Sequence, residues 1–199
     1  MDLPNAYLAK SAEIKNRLNE FGKVKKKEDI FYELCFCLLT PQSNGIKCWE
    51  AVEELKKIDF LNKDSNIAPI LQKKTRFHNH KTEYLKNAKQ KFNEISGKIQ
   101  SLNKEKLRFY LFENVKGLGL KEVSHLMRNI GYKDLAILDR HILKNLCSLG
   151  VINEIPKTLT RKNYFEIEKK FQKFSEEIGI SMDELDLYFW SLETGKVFK

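Results

Sequence analysis

Cysteine, proline and glycine are all scarce in this chain, and each scarcity excludes something. The four cysteines, Cys35, Cys37, Cys48 and Cys147, form no C-x-x-C pair and no cluster-ligand spacing, so neither an iron–sulfur centre nor a zinc framework is indicated. Cys35 and Cys37 fall inside the apolar run from Phe31 to Leu39, where core thiols are expected. Four prolines and nine glycines in 199 residues leave little turn chemistry, and the apolar positions recur at helical rather than alternating spacing. An all-α fold is the natural reading. No stretch approaches the roughly 18 consecutive apolar residues of a membrane span. The opening Met1-Asp2-Leu3-Pro4 carries no basic segment followed by an apolar one. An intracellular, cytoplasmic protein is therefore expected, with no membrane partner.

Positive charge, by contrast, is abundant: 36 Lys plus Arg against 27 Asp plus Glu give a net +9. Such a balance favours a polyanionic partner, because each phosphate neutralised releases condensed counterions. Lysine-rich composition also accompanies thermophily or genome bias, so charge admits nucleic acid without requiring it. Lys23 to Lys27 reads as a solvated linker. The segment Arg76 to Lys81 has a better claim on DNA, because an aromatic residue, Phe77, stands within it.

Helical periodicity divides the chain into candidate segments. Asn5 to Phe21 carries Tyr7, Leu8, Ile14, Leu18 and Phe21, with Gly22 placed to close it as a left-handed residue. Asp29 is placed to cap the apolar segment Ile30 to Leu39. Gly45 to Ile58 sets Ile46, Trp49, Val52 and Leu55 along one face. Ile67 to Gln72, Lys81 to Ile95 and Asn103 to Glu113 follow, the last with Asn103 as N-cap. Beyond Pro156, Tyr164 to Ile178 and Met182 to Leu192 complete the set. There is no repeat at a fixed period and no low-complexity tract.

Chemistry concentrates between 115 and 141. A helix over 103 to 113, then Val115-Lys116-Gly117-Leu118-Gly119, then a helix from about Leu120 to Gly131, is a helix-hairpin-helix pattern. Gly117 and Gly119 permit positive φ, Leu118 plugs the turn into the core, and backbone amides are directed outward at the start of the next helix. A helix N-terminus of this kind binds phosphate through unpaired amides and the helix dipole, without reading bases. Two glycines between helices are also found in ordinary turns; Val115, Leu118, Lys121 and the closing Gly131 distinguish this one.

Lys121 lies in the first turn of the second helix, beside the expected phosphate. As a neutral amine it attacks C1′ of a deoxyribose, displaces the base and leaves a Schiff base, from which the 3′ phosphate is eliminated. A free amine is mostly protonated at neutral pH, so the chemistry requires burial, a helix N-terminus or a neighbouring cation. Eighteen residues on, the apolar Leu135-Ala136-Ile137-Leu138 leads to Asp139, which by type and place is the N-cap of a helix from His141 to Leu149. A carboxylate held there, facing Lys121 across a cleft, stabilises cationic sugar character and helps move protons. His141 reads as a structural or phosphate-contacting residue, since nothing nearby completes a triad. Arg128 and Arg140, beside the hairpin and Asp139, are phosphate-contact candidates.

Val115-Lys116-Gly117-Leu118-Gly119-Leu120-Lys121-Glu122-Val123-Ser124-His125 together with Ala136-Ile137-Leu138-Asp139-Arg140-His141 resembles the helix-hairpin-helix DNA glycosylase superfamily. It is most similar to the archaeal and bacterial type 2 8-oxoguanine DNA glycosylase/AP lyases. The likeness covers most of the chain, with Phe31 to Thr40 similar to the family's early core helix and Asp186 to Trp190 to its last. The missing cluster cysteines separate it from the endonuclease III branch.

That resemblance implies two helical subdomains flanking a DNA-binding cleft within one catalytic unit, 1–199. One subdomain is a bundle over 28–139 ending in the hairpin at about 103–131, and the other joins 1–27 to 140–199. Lys121 is implied as the nucleophile and Asp139 as the essential carboxylate. The flipped purine is sandwiched between Phe77 and Trp190, and Lys199 helps to distinguish 8-oxoguanine from guanine. Trp190, with Leu187 and Phe189 nearby, also has the composition of a core position. Asp186 lies one helical turn before Trp190 and is a pocket candidate. The polar turn Thr40-Pro41-Gln42-Ser43-Asn44 offers Gln42 or Asn44 to fill the void left by the base, although it departs from the family's patterns in detail.

The expected partner is double-stranded DNA containing 8-oxoguanine or abasic sites, bound by a monomer. No organic cofactor is implied, no metal ligand set is present in the sequence, and a potassium or sodium ion at the hairpin carbonyls is left open. Alternatives are a glycosylase for another damaged base and a non-catalytic module that grips the DNA backbone.

Overall fold

A computed structural model describes residues 3–199, which contain ten α-helices and, among the described residues, no strand. They are α1 (Leu3–Gly22), α2 (Lys27–Leu39), α3 (Gly45–Lys57), α4 (Ala68–Lys74), α5 (His78–Ser101), α6 (Lys104–Asn114), α7 (Leu120–Asn129), α8 (Arg140–Ser148), α9 (Arg161–Ile178) and α10 (Met182–Thr194). Every segment expected from periodicity is a helix. Two helix ends differ in chemistry from expectation. Asp29 lies inside the first turn of α2, whose N-cap is Lys26 and has no side-chain cap bond, and there Asp29 complements the helix dipole instead. Gly22 ends α1 without entering the left-handed region.

The chain divides into two compact units: Val24–Leu126, and the residues up to Lys23 together with Met127–Lys199. The sequence suggests boundaries at 28 and 139. The second falls earlier, within α7, because the far end of that helix is committed to the other unit: buried Arg128 pairs with Asp186 and lies over Phe21.

In the unit 24–126, α2 is the centre. All ten residues from Ile30 to Leu39 are buried, so this helix is covered on every side rather than along one stripe. Phe31 packs against Phe60 and Phe92, and Phe36 against Trp49 and His125. Cys35, Cys37 and Cys48 are buried, as expected of core thiols, and Cys147 in the other unit is half-buried; none of the four is in a disulfide. Burial pushes the Cys35 thiol well up, and Cys48 up to about 11.

In the other unit α10 plays the central part, with Leu185, Leu187, Tyr188 and Phe189 buried. Tyr7, Ile14 and Phe21, spaced by two turns each, form the buried face of α1, and Tyr164, Ile167 and Phe171 that of α9. The Tyr7 hydroxyl donates to Glu184 at 2.8 Å and its ring meets Tyr188 edge-on. Glu184 also completes a capping box with Ser181 at the start of α10. Ser181→Ala removes the acceptor for the Glu184 amide and is expected to destabilise the protein by about 0.5–2 kcal/mol, against a few tenths for Ser181→Gly. Thermal unfolding of the two variants side by side measures the difference; equal midpoints would exclude a capping contribution.

Candidate active site

Gly117 makes the hairpin. Its φ is 98°, and a Cβ built there lies 2.5 Å from Tyr84 Cδ2 and 3.1 Å from Leu38 Cδ2, so both backbone conformation and space exclude a side chain. Leu118 is buried, as a plug should be, and its amide donates to the Val115 carbonyl. Gly119 differs from expectation: it does not adopt positive φ, and what it accommodates is a close approach by Glu122. The helix before the hairpin is capped by Asn103, which accepts from the Lys106 amide, and α6 is tied to α7 by buried Arg108, which donates to Ser124 Oγ at 3.0 Å. Ser124 in turn donates to the Leu120 carbonyl. The angle of α7, and with it Lys121, is fixed by these contacts.

Glu122 is the residue that the sequence reading missed here. One carboxylate oxygen accepts from the Gly119 amide at 3.2 Å, and the other lies 3.1 Å from Lys121 Nζ. An anion therefore already stands at the amides where phosphate was expected, supplied by the helix itself. Glutamate three residues after a helix start is a recognisable capping signal.

Asp139 is the N-cap of α8, as expected. Its Oδ1 accepts from both His141 and Ile142 amides, at 2.8 and 2.9 Å. The buried segment 135–138 that delivers it is pinned by α9: Tyr164 donates to the Ala136 carbonyl at 2.6 Å, and Glu168 accepts from the Ala136 amide at 2.8 Å. His141 has both ring nitrogens engaged, Nε2 by Arg140 and Nδ1 facing Glu193 at 3.9 Å, which favours the structural reading; Arg140 itself is exposed.

Arg128 requires correction. It is 2 % exposed, lies 3.4 Å from Asp186 and sits over Phe21, so it cannot reach a phosphate from that position. A guanidinium on an aromatic face beside a carboxylate is an internal brace. Asp186 is accordingly half of that brace. Phe21 carries the Lys199 ammonium over its ring as well, at 5.8 Å, and Arg17 at 5.1 Å. Arg17 also donates to the Phe198 carbonyl, and Phe198 packs on Trp190 at 5.9 Å. Trp190 is only half-buried, not the core residue its neighbours suggested, and it shares this cluster with Lys199.

Phe77 stands at the N-cap position of α5 with φ 57° and is 51 % exposed, an uncommon backbone for an aromatic residue and an uncommon exposure. Gln42, at φ 53°, is also left-handed and exposed. Asn44 instead caps α3 by accepting from the Lys47 amide, which leaves Gln42 as the residue of this turn with its side chain uncommitted to a helix end. Lys81 does not serve DNA from the basic segment: it is 3 % exposed and faces inward. Burial pushes its ammonium down to about 8, with the Arg76 and Lys121 cations adding to the effect and Cys48 opposing it. A cavity of about 780 Å³ in the same unit, lined by Lys27, Phe60, Asn62, Asp64 and Lys89 among others, contains none of the candidate residues.

A helix-hairpin-helix with a lysine in the first turn after the reversal, followed by a carboxylate at a helix N-cap, defines a DNA glycosylase of the hairpin class. The particular family is equally plain: residues 14–180 match the family model described as 8-oxoguanine DNA glycosylase, and the chain belongs to that family. It is 40 % identical to an 8-oxoguanine DNA glycosylase/AP lyase of Fusobacterium nucleatum, over 100 % of this chain and 96 % of the relative. Identity is again 40 % to the enzyme of that name from Methanocaldococcus jannaschii, over 96 % and 95 % of the two chains. Among solved structures, the M. jannaschii 8-oxoguanine glycosylase/lyase in complex with a 15mer DNA containing 8-oxoguanine superposes with a TM-score of 0.90 at 36 % identity, covering 100 % of both chains. The 8-oxoguanine DNA glycosylase of Thermotoga maritima gives 0.84 at 31 %, covering 100 % of this chain and 99 % of that one.

Gly117→Ala places a methyl group against Tyr84 at a strained φ. A loss of about 1–3 kcal/mol in stability is expected, with weaker binding to a duplex carrying a non-cleavable abasic analogue. Thermal unfolding and fluorescence anisotropy measure both; wild-type values for both would show that the hairpin tolerates a side chain at Gly117.

Proposed function

We propose that this chain is a bifunctional DNA glycosylase/AP lyase that excises 8-oxoguanine and nicks the strand by β-elimination. The observation that carries the reading is Lys121, set in the first turn of α7 immediately after the Gly117 reversal and beside the hairpin amides. The neutral amine attacks C1′, and the glycosidic bond breaks with its electron pair leaving on the base. Ring opening gives the imine; loss of a C2′ proton then expels the 3′ phosphate. Asp139, aligned by two amides, stabilises positive charge on the sugar as the bond breaks. DNA phosphate takes the place of the Glu122 carboxylate at the Gly119 amide.

Phe77 and Trp190 receive the extruded purine, Lys199 contributes to lesion choice and Gln42 fills the space left in the duplex. Extrusion costs a few kcal/mol, and stacking recovers about 1–3 kcal/mol per base. The protein acts as a monomer on double-stranded DNA in the cytoplasm of a prokaryote. The scheme uses no organic cofactor, and a monovalent cation at the hairpin carbonyls is compatible with it. No helix among the described residues is long and apolar enough to cross a membrane.

Borohydride trapping on 8-oxoguanine or abasic DNA tests the chemistry. Wild-type protein is expected to form a covalent adduct and Lys121→Gln none. Absence of the wild-type adduct would leave only a module that grips DNA, and an undiminished adduct in the variant would reassign the nucleophile. Asp139→Asn separates cap from catalyst. Asparagine caps as well as aspartate, so stability should change by less than about 0.5 kcal/mol while excision falls by about two orders of magnitude or more. Single-turnover cleavage beside thermal unfolding distinguishes the two roles; excision at the wild-type rate would end the carboxylate's part in the reaction.

A further inference from the structure

Lys81 is the one buried lysine of the unit 24–126 that the chemistry above does not use, and its surroundings are specific. Its ammonium donates to the Leu39 carbonyl at 2.7 Å, the Pro41 carbonyl at 2.9 Å and Ser43 Oγ at 2.7 Å. An ammonium has three protons, and three acceptors meet them. Leu39 is the last residue of α2, Pro41 and Ser43 belong to the turn that follows it, and Gln42 stands between those two. Ser43 Oγ also accepts from the Arg76 amide at 2.9 Å, and the Lys81 amide donates to the Phe77 carbonyl at 3.1 Å. The Lys81 amide bond is the ordinary first bond of α5; the specific link is Ser43, which joins the Lys81 ammonium and the Gln42 turn to the Arg76 amide next to Phe77.

The geometry points to Lys81 as a positioning residue for base extrusion: with Ser43, it locks the Gln42 turn and the Phe77 turn into a single register. This rests on the roles proposed above for Gln42 and Phe77. Three observations argue for it. Gln42 and Phe77 both hold the left-handed conformation that non-glycine residues rarely adopt, so each turn needs an external restraint, and the Lys81 and Ser43 bonds are such restraints on both sides. The acceptors are two main-chain carbonyls and a hydroxyl, with no carboxylate among them, so the charge is used to bind backbone rather than to neutralise an anion. At 3 % exposure the ammonium is withheld from phosphate, which removes the ordinary explanation for a lysine in a DNA-binding segment. Charge-assisted bonds are short and directional, and a cation with three fixed acceptors defines the turn's position as well as its closure.

The distinction from general stability lies in the substrate. Extruding a base from a duplex needs both turns in register; cleaving an abasic site in single-stranded DNA extrudes nothing. Lys81→Met keeps an unbranched apolar stem but lacks the terminal donor, and Ser43→Ala removes the shared acceptor while leaving the core untouched. Misplacement of this kind is expected to slow single-turnover excision from an 8-oxoguanine duplex by about tenfold or more, with single-stranded abasic cleavage within about twofold of wild type. A 2-aminopurine placed next to the lesion should brighten more slowly in both variants. Equal losses on the two substrates, or wild-type excision and fluorescence in Ser43→Ala, would overturn the inference, and so would wild-type values in Lys81→Met. Wild-type protein inactive on the 8-oxoguanine duplex would instead overturn the proposed function.

Discussion

The backbone reversal at Gly117 is the constraint on which the rest of the unit 24–126 depends. Only a residue without Cβ fits between Tyr84 and Leu38 at that φ, and only this reversal sends α7 off with Lys121 in its first turn. The surroundings are built to keep it. α2 is buried all round and supplies Leu38; α5 supplies Tyr84; Arg108 and Ser124 clamp α6 to α7. Chemistry placed on a rigid element needs no backbone reorganisation when substrate arrives, and the aliphatic and aromatic mass of this unit serves that end.

Charge is partitioned in a way that composition conceals. The net +9 counts every cation alike, yet Lys81 and Arg128 are turned inward, where they brace backbone and aromatic rings. Each solves its burial differently. Lys81 spends its protons on three oxygens, while Arg128 lies on the Phe21 face beside Asp186. Removing a partner from either leaves a charge in a poorly hydrated place, which is why such groups are more sensitive to their neighbours than exposed lysines are.

Helices, the hairpin and the Asp139 cap were legible in the sequence because each rests on local chemistry: apolar spacing, a glycine in a reversal, an acceptor before a helix. Cap assignments failed where a stronger local choice existed, as at Asp29, which the helix simply incorporated. Arg128 and Lys81 were misread because a basic residue in a basic segment has the same composition whether it faces water or a carbonyl; only its partners, far along the chain, decide. Asp186 lies 58 residues from Arg128, and Leu39 lies 42 from Lys81. Glu122 is legible on the same terms, since its distance from Gly119 is a capping signal. Phe21 gave no signal at all: an apolar residue at the end of an amphipathic helix says nothing about the cations gathered on its ring.

The interior thiols have one more consequence. Peroxide and related oxidants react with thiolate far faster than with thiol, and they need access. Cys35 and Cys48 are closed off from solvent, and burial keeps both protonated across the physiological range. An enzyme proposed to act on oxidised guanine is needed most when oxidants are abundant. The sulfur of Cys35 and Cys48 is kept where those oxidants act slowest, so the core of the unit that carries Lys121 is shielded from the conditions that create the substrate.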